Sequence, residues 1–509
     1  MEQLVSNYLL VASIVLLLSI FLSKSSKTFG LPILVVFLGI GMLFGSEGFI
    51  GINFENYELA YSLSLIAMCV IIFSGGLETS FNEAKSELRS GMLLSSVGII
   101  LTTALVGCFI FYVTALSLLE SLLLGAILSA TDAAAVFNMF KDKRSQVSAP
   151  IKNLLKLESG SNDPMAYFLV LTLLGFIKYE GSGYLSTVQF FILNPLVGVV
   201  VGFGISKLYI YVNNKINLDY IGLYPALTMA FLFLNFTFTS FLDGNGFIAV
   251  YIFGMIVGNN KILHKNLLIS FYDGISWLFQ IGLFVMLGLL VFPTRLIPII
   301  GIGTLIACFL IFVARPITVY LTLIKSGFNN KEKLFISWAG LKGATPIVFA
   351  SLAATQLGGR AHTFFDVVFY VVILSALLQG TSFKKLAKKL GLLFEAIEDA
   401  NFPVDLEVLE KTKSGITEIQ IEKGFYIVDK RIVDLVLPKG ALILFIKREG
   451  AFIIPDGSTT FNAFDKLLLV TNNKEDIQAA REAFEFEPKK NENTELSIEV
   501  IQVPKEKDE

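Results

Sequence analysis

Runs of about 20 apolar residues recur from the N-terminus to about Ser382. Each is long enough to cross a hydrocarbon layer of ~30 Å. In that solvent the backbone must satisfy its own hydrogen bonds, so segments of this length can only be helices. Thirteen candidate spans lie near 7–23, 30–48, 58–76, 93–117, 121–140, 157–177, 186–211, 220–240, 245–258, 271–292, 297–322, 333–356 and 363–382. Composition agrees: 54% of the residues are hydrophobic and 16% are charged, where soluble domains carry about 25% charged residues. The fold class is a polytopic α-helical membrane protein. Met1-Glu2-Gln3 offers no positive segment ahead of the first run, so residues 7–23 are read as a retained span rather than a cleaved signal.

The loop charges orient the chain. Loops on the C-terminal side hold twenty lysines and arginines, from Lys24 to Lys389. The opposite loops hold three: Lys178, Arg295 and Arg360. The positive-inside rule places the C-terminus in the cytoplasm and the N-terminus outside. Cys69, Cys108 and Cys308 all fall within apolar runs, with no sign of a disulfide framework or metal site. His264 and His362 read as solvated loop residues. No basic stripe suits nucleic acid.

After Lys389 the pattern changes. Residues 404–472 alternate apolar and polar in short runs, as in Val404–Val408, Ala441–Ile446 and Lys466–Val470, and read as strands. Leu437-Pro438-Lys439-Gly440 and Pro455-Asp456-Gly457 are turns, and residues 474–485 are a closing helix. The expected organisation is a membrane domain over 1–390, a small cytoplasmic α/β domain over 400–486 and a mobile charged tail over 487–509.

Three stretches place polar groups where they are expensive. A charge at mid-bilayer costs about 2.5–3.5 kcal/mol on insertion scales. In span five, Ser129-Ala130-Thr131-Asp132 interrupts an apolar run. A locally unwound helix there would offer carbonyls and a hydroxyl to a cation, although an aspartate near a helix end can also serve only as a cap. In span six, Glu158-Ser159-Gly160-Ser161-Asn162-Asp163-Pro164 presents two carboxylates, an amide and two hydroxyls within two turns. Ser159 and Asp163 share one helix face, Glu158 and Asn162 the adjacent one. Oxygen ligands suit hard cations rather than transition metals. In span twelve, Gly340-Leu341-Lys342-Gly343-Ala344-Thr345-Pro346 breaks the helix around a lysine. A buried lysine needs a carboxylate. Glu158 is the expected structural partner and Asp132 the alternative; Lys342 acting as a proton carrier is a further option.

If spans 1–6 and 8–13 form two repeats, the interrupted spans five and twelve correspond. Such a pair is the sequence pointer to a transporter binding site, here at two crossed, interrupted helices in inverted repeats. Burial disfavours the bare Asp163 carboxylate. It would therefore hold either a proton or a cation, which couples the two fluxes.

These three motifs, in this order, resemble the monovalent cation/proton antiporter superfamily, in particular its NhaP-like branch, over residues 1 to about 390. The resemblance implies that Asp163 is the essential ion- and proton-binding carboxylate. It implies that Thr131 and Asp132 line the crossover, that Ser159 is a cation ligand, and that Glu158 pairs with the base of span twelve. Asn162 marks a branch that is usually electroneutral. The implied substrates are potassium first, then sodium, exchanged for protons. The implied assembly is a homodimer in the bacterial plasma (inner) membrane. Two positions depart from the pattern: Lys342 stands where arginine is frequent, and Ser74 where many relatives are acidic. The segment Leu437–Ile443, Lys447–Gly450 and Pro455–Thr459 resembles the TrkA-C (RCK-C) module. That resemblance implies a regulatory domain, with a small ligand such as cyclic di-AMP as one candidate.

No glycine-rich nucleotide fingerprint follows a strand in the tail, so no nucleotide cofactor is expected. An RCK-gated channel would call for a carbonyl filter such as Thr-Val-Gly-Tyr-Gly, which the sequence lacks. A non-transporting membrane sensor would leave the mid-membrane polar clusters without a role. No nucleophile–base pair or Walker motif points to an enzyme.

Overall fold

A computed structural model describes residues 10, 12–22, 33–81, 85–132, 146–178, 184–358, 361–394, 415–422, 424–435, 437, 441–448, 451–471 and 474–485. The strand expected at 404–408, the turn residues 438–440, Ala133–Ala135 of the first motif and the tail at 487–509 lie outside them.

Among the described residues the membrane unit is almost wholly helical. In chain order it contains α1 (Ala12–Leu22), α2 (Ile33–Phe44), α3 (Tyr57–Leu77), α4 (Leu88–Val113), α5 (Leu118–Ser129) and α6 (Ala149–Lys178). There follow α7 (Tyr184–Lys215), α8 (Leu223–Phe241), α9 (Gly246–Asn259), α10 (Lys265–Leu289) and α11 (Pro293–Thr322). It closes with α12 (Asn330–Trp338), α13 (Ala344–Leu357) and α14 (His362–Leu390). Among the described residues, seven helices are long and apolar enough to cross a membrane, and five more are shorter apolar helices. α6 is 30 residues long and carries the polar motif of the sixth span. A short ribbon pairs β1 (Gln146–Val147) with β2 (Leu393–Phe394), tying the start of α6 to the chain leaving α14.

The helices sort into two bundles. α2, α3, α7, α8, α9 and α10 pack mainly on one another. α4, α5, α6, α11, α13 and α14 form the second set, with α12 against α11 and α14. The seam between them runs where α3 meets α13 and α6, and where α9 meets α6. Gly76 and Gly254 face each other where α3 crosses α9, so the backbones approach closely, as small residues permit in membrane helices. Both interrupted segments belong to the second bundle.

Among the described residues the C-terminal unit is a four-stranded antiparallel sheet in the order β3 (Gly415–Gln420), β6 (Lys466–Thr471), β4 (Leu442–Arg448), β5 (Ala451–Ile453), with one α-helix, α15 (Lys474–Glu485). Alternation along the strands, with a register shift between Ile443 and Phe445 of β4, sends Ile419, Ile443, Ile446, Leu467 and Leu469 to one core, which α15 closes with Ala480 and Phe484. Arg448 of β4 clamps the buried Asp465 through Nε at 3.0 Å and Nη2 at 2.7 Å. The Pro455-Asp456-Gly457 turn is held by the Asp456 carboxylate. Hydrogen bonds from Ser458 and Thr459 keep that group below the usual carboxylate range.

Candidate functional site

Two breaks in regular structure meet at the middle of the second bundle. α5 starts with a capping box between Ser117 and Glu120 and ends at Ser129. Ala130 turns to an extended conformation, and Thr131 and Asp132 continue without helix. Oxygen-bearing side chains compete with helical hydrogen bonds, so this sequence is a natural stop. The second break runs from Ala339 to Gly343 between α12 and α13. Glycine at 340 and 343 lowers helix propensity there, while Pro346 sits in the first turn of α13, where proline is tolerated.

The breaks are stitched to each other. The Asp132 N–H donates to the Leu341 carbonyl at 2.8 Å. The Lys342 amine donates to the carbonyls of Ser129 at 3.2 Å and Ala130 at 3.0 Å. It therefore caps the C-terminal end of α5, where the helix dipole favours a cation. The Lys342 N–H reaches Ser375 Oγ, which donates to Gln379 Oε1, whose amide holds the Trp338 carbonyl. A Cβ at Gly343 would run into the Asp132 carboxylate, and one at Gly340 into the Arg315 guanidinium, so both positions need glycine for space.

α6 supplies the rest. Ser159 Oγ donates to the Thr131 carbonyl at 3.3 Å. Asn162 Nδ2 donates to Thr131 Oγ1. Asp163 Oδ2 accepts from Thr345 Oγ1 at 2.9 Å. Asp163 Oδ1 and Asn162 Oδ1 are buried without a donor. A cavity of ≈ 200 Å³ reaches Asp163, Asp132, Ser159 and Thr345 from one end of the unit, room for several waters. Glu78 at the end of α3, Lys156 near the start of α6 and Asp273 of α10 line its approach. The groups at its floor are oxygens, a donor set for a hard cation.

Thr131, Asp132, Ser159, Asn162 and Asp163 are thus gathered in one place. The expected pairing of Glu158 with Lys342 is corrected. Glu158 Oε1 pairs with Arg315 Nη2 at 2.6 Å, with the two side chains only 3% and 6% exposed. The physical reason is a division of labour between the two bases. The α5 carbonyls satisfy the compact ammonium, while the planar guanidinium suits a carboxylate. Arg315 follows a π-helical turn, Leu310–Ala314, and precedes Pro316; π-turns recur at functional sites. A lone arginine within an apolar run was the available signal for it. Thr345 and Ser375 gave none, because a hydroxyl in a membrane helix commonly bonds to its own backbone.

Beyond Asp163 the path is closed. The Tyr167 hydroxyl of α6 meets the Tyr61 hydroxyl of α3 at 3.3 Å, and the Tyr167 ring packs against Phe247 of α9 and Phe349 of α13. Farther out, charged and polar groups join the bundles. Arg295 at the start of α11 pairs with Glu55 at 2.9 Å. Arg295 Nη1 and the Tyr57 hydroxyl both lie 3.0 Å from His362 Nδ1. Glu47 accepts from the Thr294 N–H at 2.8 Å. His362, expected to be a solvated loop residue, is part of this network.

Known proteins resemble this chain in sequence and fold. The transmembrane domain of sodium/hydrogen exchangers matches residues 13–389, and the TrkA-C domain matches residues 416–485. A protein of Alkalimonas amylolytica named K(+)/H(+) antiporter NhaP is 35% identical over 468 residues, 91% of this chain and 80% of its own length. The K(+)/H(+) antiporter NhaP2 of Shewanella oneidensis is 31% identical over 96% of this chain and 85% of its own. In fold, the membrane unit is similar to the sodium proton antiporter MjNhaP1 of Methanocaldococcus jannaschii. The TM-score is 0.67 at 23% identity, covering 77% of this chain and 99% of that one. With the match spanning nearly all of its membrane unit, this chain belongs to the sodium/hydrogen exchanger family.

Proposed function

We propose that this protein is a secondary antiporter that exchanges a monovalent cation for protons by alternating access, with potassium as the first candidate and sodium as the second. One observation carries the reading: Asp163 lies at the floor of the cavity with one oxygen held by Thr345 and the other without a donor. A bare carboxylate there is costly, so it exists with a proton or with a cation, and each displaces the other. Thr131, Asp132, Ser159 and Asn162 complete an oxygen-rich shell around the exchanged ion. The relatives named K(+)/H(+) antiporters support the choice of potassium.

Thirteen spans in two inverted repeats fit the second bundle, where α4, α5 and α6 stand beside α11, the broken span α12–α13 and α14, each set with its break in the middle span. The cavity then opens to the cytoplasm, since the lysine-rich loops lie at that end, and the N-terminus is outside. The aromatic layer and the Arg295 network close the outer side. Residues 1–390 form the transporting domain in a homodimer in the bacterial plasma membrane. Residues 400–486 form a cytoplasmic regulatory domain, for which cyclic di-AMP is a candidate ligand. Lys342 caps the α5 terminus through the Ser129 and Ala130 carbonyls, and Glu158–Arg315 braces the crossing.

The test is cation-induced proton movement in everted membrane vesicles. Potassium or sodium should discharge a pH gradient with the wild-type protein and fail to do so with Asp163→Ala. Equal discharge by the variant would refute the assignment of Asp163.

A further inference from the structure

A second intramembrane carboxyl stands apart from the crossing. Asp366 lies in the second turn of α14, at the closed end, and is 2% exposed. Its Oδ1 is buried without a donor. The groups that face it are Arg295 of α11, Glu55 and Tyr57 at the start of α3, and His362 one turn earlier on α14. α13 and the Ile300–Phe309 stretch of α11, which pack along the rest of α14, carry no charged side chain. Glu120, at the start of α5, is engaged in its capping box.

The charges around Asp366 do not balance. Among the described residues, Arg295 is the arginine or lysine of the group, and Glu55 takes it at 2.9 Å. The same guanidinium also points at His362 Nδ1. Arginine can only donate, so Nδ1 is the acceptor of that contact. Among the described residues, one guanidinium stands against two carboxyls, and Glu55 holds it. Asp366 shares that one cation at best, and a buried carboxylate whose Oδ1 has no donor is costly for a fold to carry.

We propose that Asp366 is a second proton-binding site, at the end of the membrane domain opposite the cavity. It rests on the antiport reading given above. A proton from water on that side adds to the carboxylate to give the neutral acid, and no other bond changes. The site sits behind the Glu55–Arg295–His362 network, so opening of that network exposes Asp366 to solvent. About two and a half turns along the same helix, Ser375 holds the Lys342 backbone at the crossing. Occupancy at Asp366 thus has a rigid path to the Asp163 site.

Two measurements on wild type and Asp366→Asn test this. Infrared difference spectra of the purified protein between acid and alkaline pH should show a protonated-carboxyl band that the variant lacks; Asp366→Glu should restore a displaced band. In proteoliposomes with pH set separately on each face, the variant should shift the far-side pH of half-maximal exchange by about one unit or more, a tenfold change in proton concentration. Its dependence on pH at the cavity face should stay as in wild type. Superimposable spectra would overturn the proposal, as would unmoved or equally moved pH dependences on both faces. If the wild-type protein moves no ions, the antiport reading falls by itself, and the infrared band alone decides whether Asp366 binds a proton.

Discussion

The two ends of the membrane unit treat buried polarity in opposite ways. At the crossing, two segments abandon the helix, and Asn162 Oδ1 and Asp163 Oδ1 are left without donors. At the closed end, Glu47 is tied to Thr294, Glu55 to Arg295 and Tyr57 to His362, and Asp366 is the exception. Polar atoms left bare can be satisfied by an incoming ion. Polar atoms satisfied by one another hold two bundles together. The contrast distinguishes a site from a closure.

The bases sharpen the comparison. Arg315 is sealed against Glu158, whereas Arg295 and Glu55 are 35% and 38% exposed. Removing one partner of a buried pair leaves an uncompensated charge, at about 3–5 kcal/mol. Arg315→Met should therefore cause the largest loss of thermal stability, and Glu158→Gln/Arg315→Met should recover most of it. Failure of the double variant to recover would show that the two residues do not act as a pair.

Gly343→Ala comes next. Its Cβ would press on the Asp132 carboxylate, a strain of about 1–3 kcal/mol. Exchange should fall by roughly five- to 150-fold, since 1.4 kcal/mol is a factor of ten, while the protein still folds. Thr345→Val removes a single hydrogen bond to Asp163, worth about 0.5–1.5 kcal/mol. Half-saturation for the cation should rise roughly two- to tenfold, with little change in melting temperature. Arg295→Gln is the smallest in stability, under about 1 kcal/mol, as for exposed ion pairs. A loss as large as that of Arg315→Met would remove the distinction between the two ends.

Much of the crossing was legible in the sequence because its chemistry is hostile to the bilayer. Thr131-Asp132 and Gly340–Pro346 interrupt apolar runs, and Asp163 stands on the polar face of α6. Pairing was less legible. Lys342 and Arg315 are both basic residues in apolar runs, and only the folded chain shows which of them reaches Glu158. Asp366 and Asp273 were passed over because each is a single acid in a run that still reads as a span. The strand at 442–448 was close to its expected range, since a continuous apolar run marks it. β5 has only three residues, too few for a period to show.

The central claim is that a cation and a proton compete for Asp163. Titration calorimetry of the purified protein with potassium, in buffers of different ionisation enthalpy, measures proton release directly. Binding should release protons in the wild-type protein, and Asp163→Asn should abolish that release. Cation binding without proton release, or release that persists in Asp163→Asn, would contradict it.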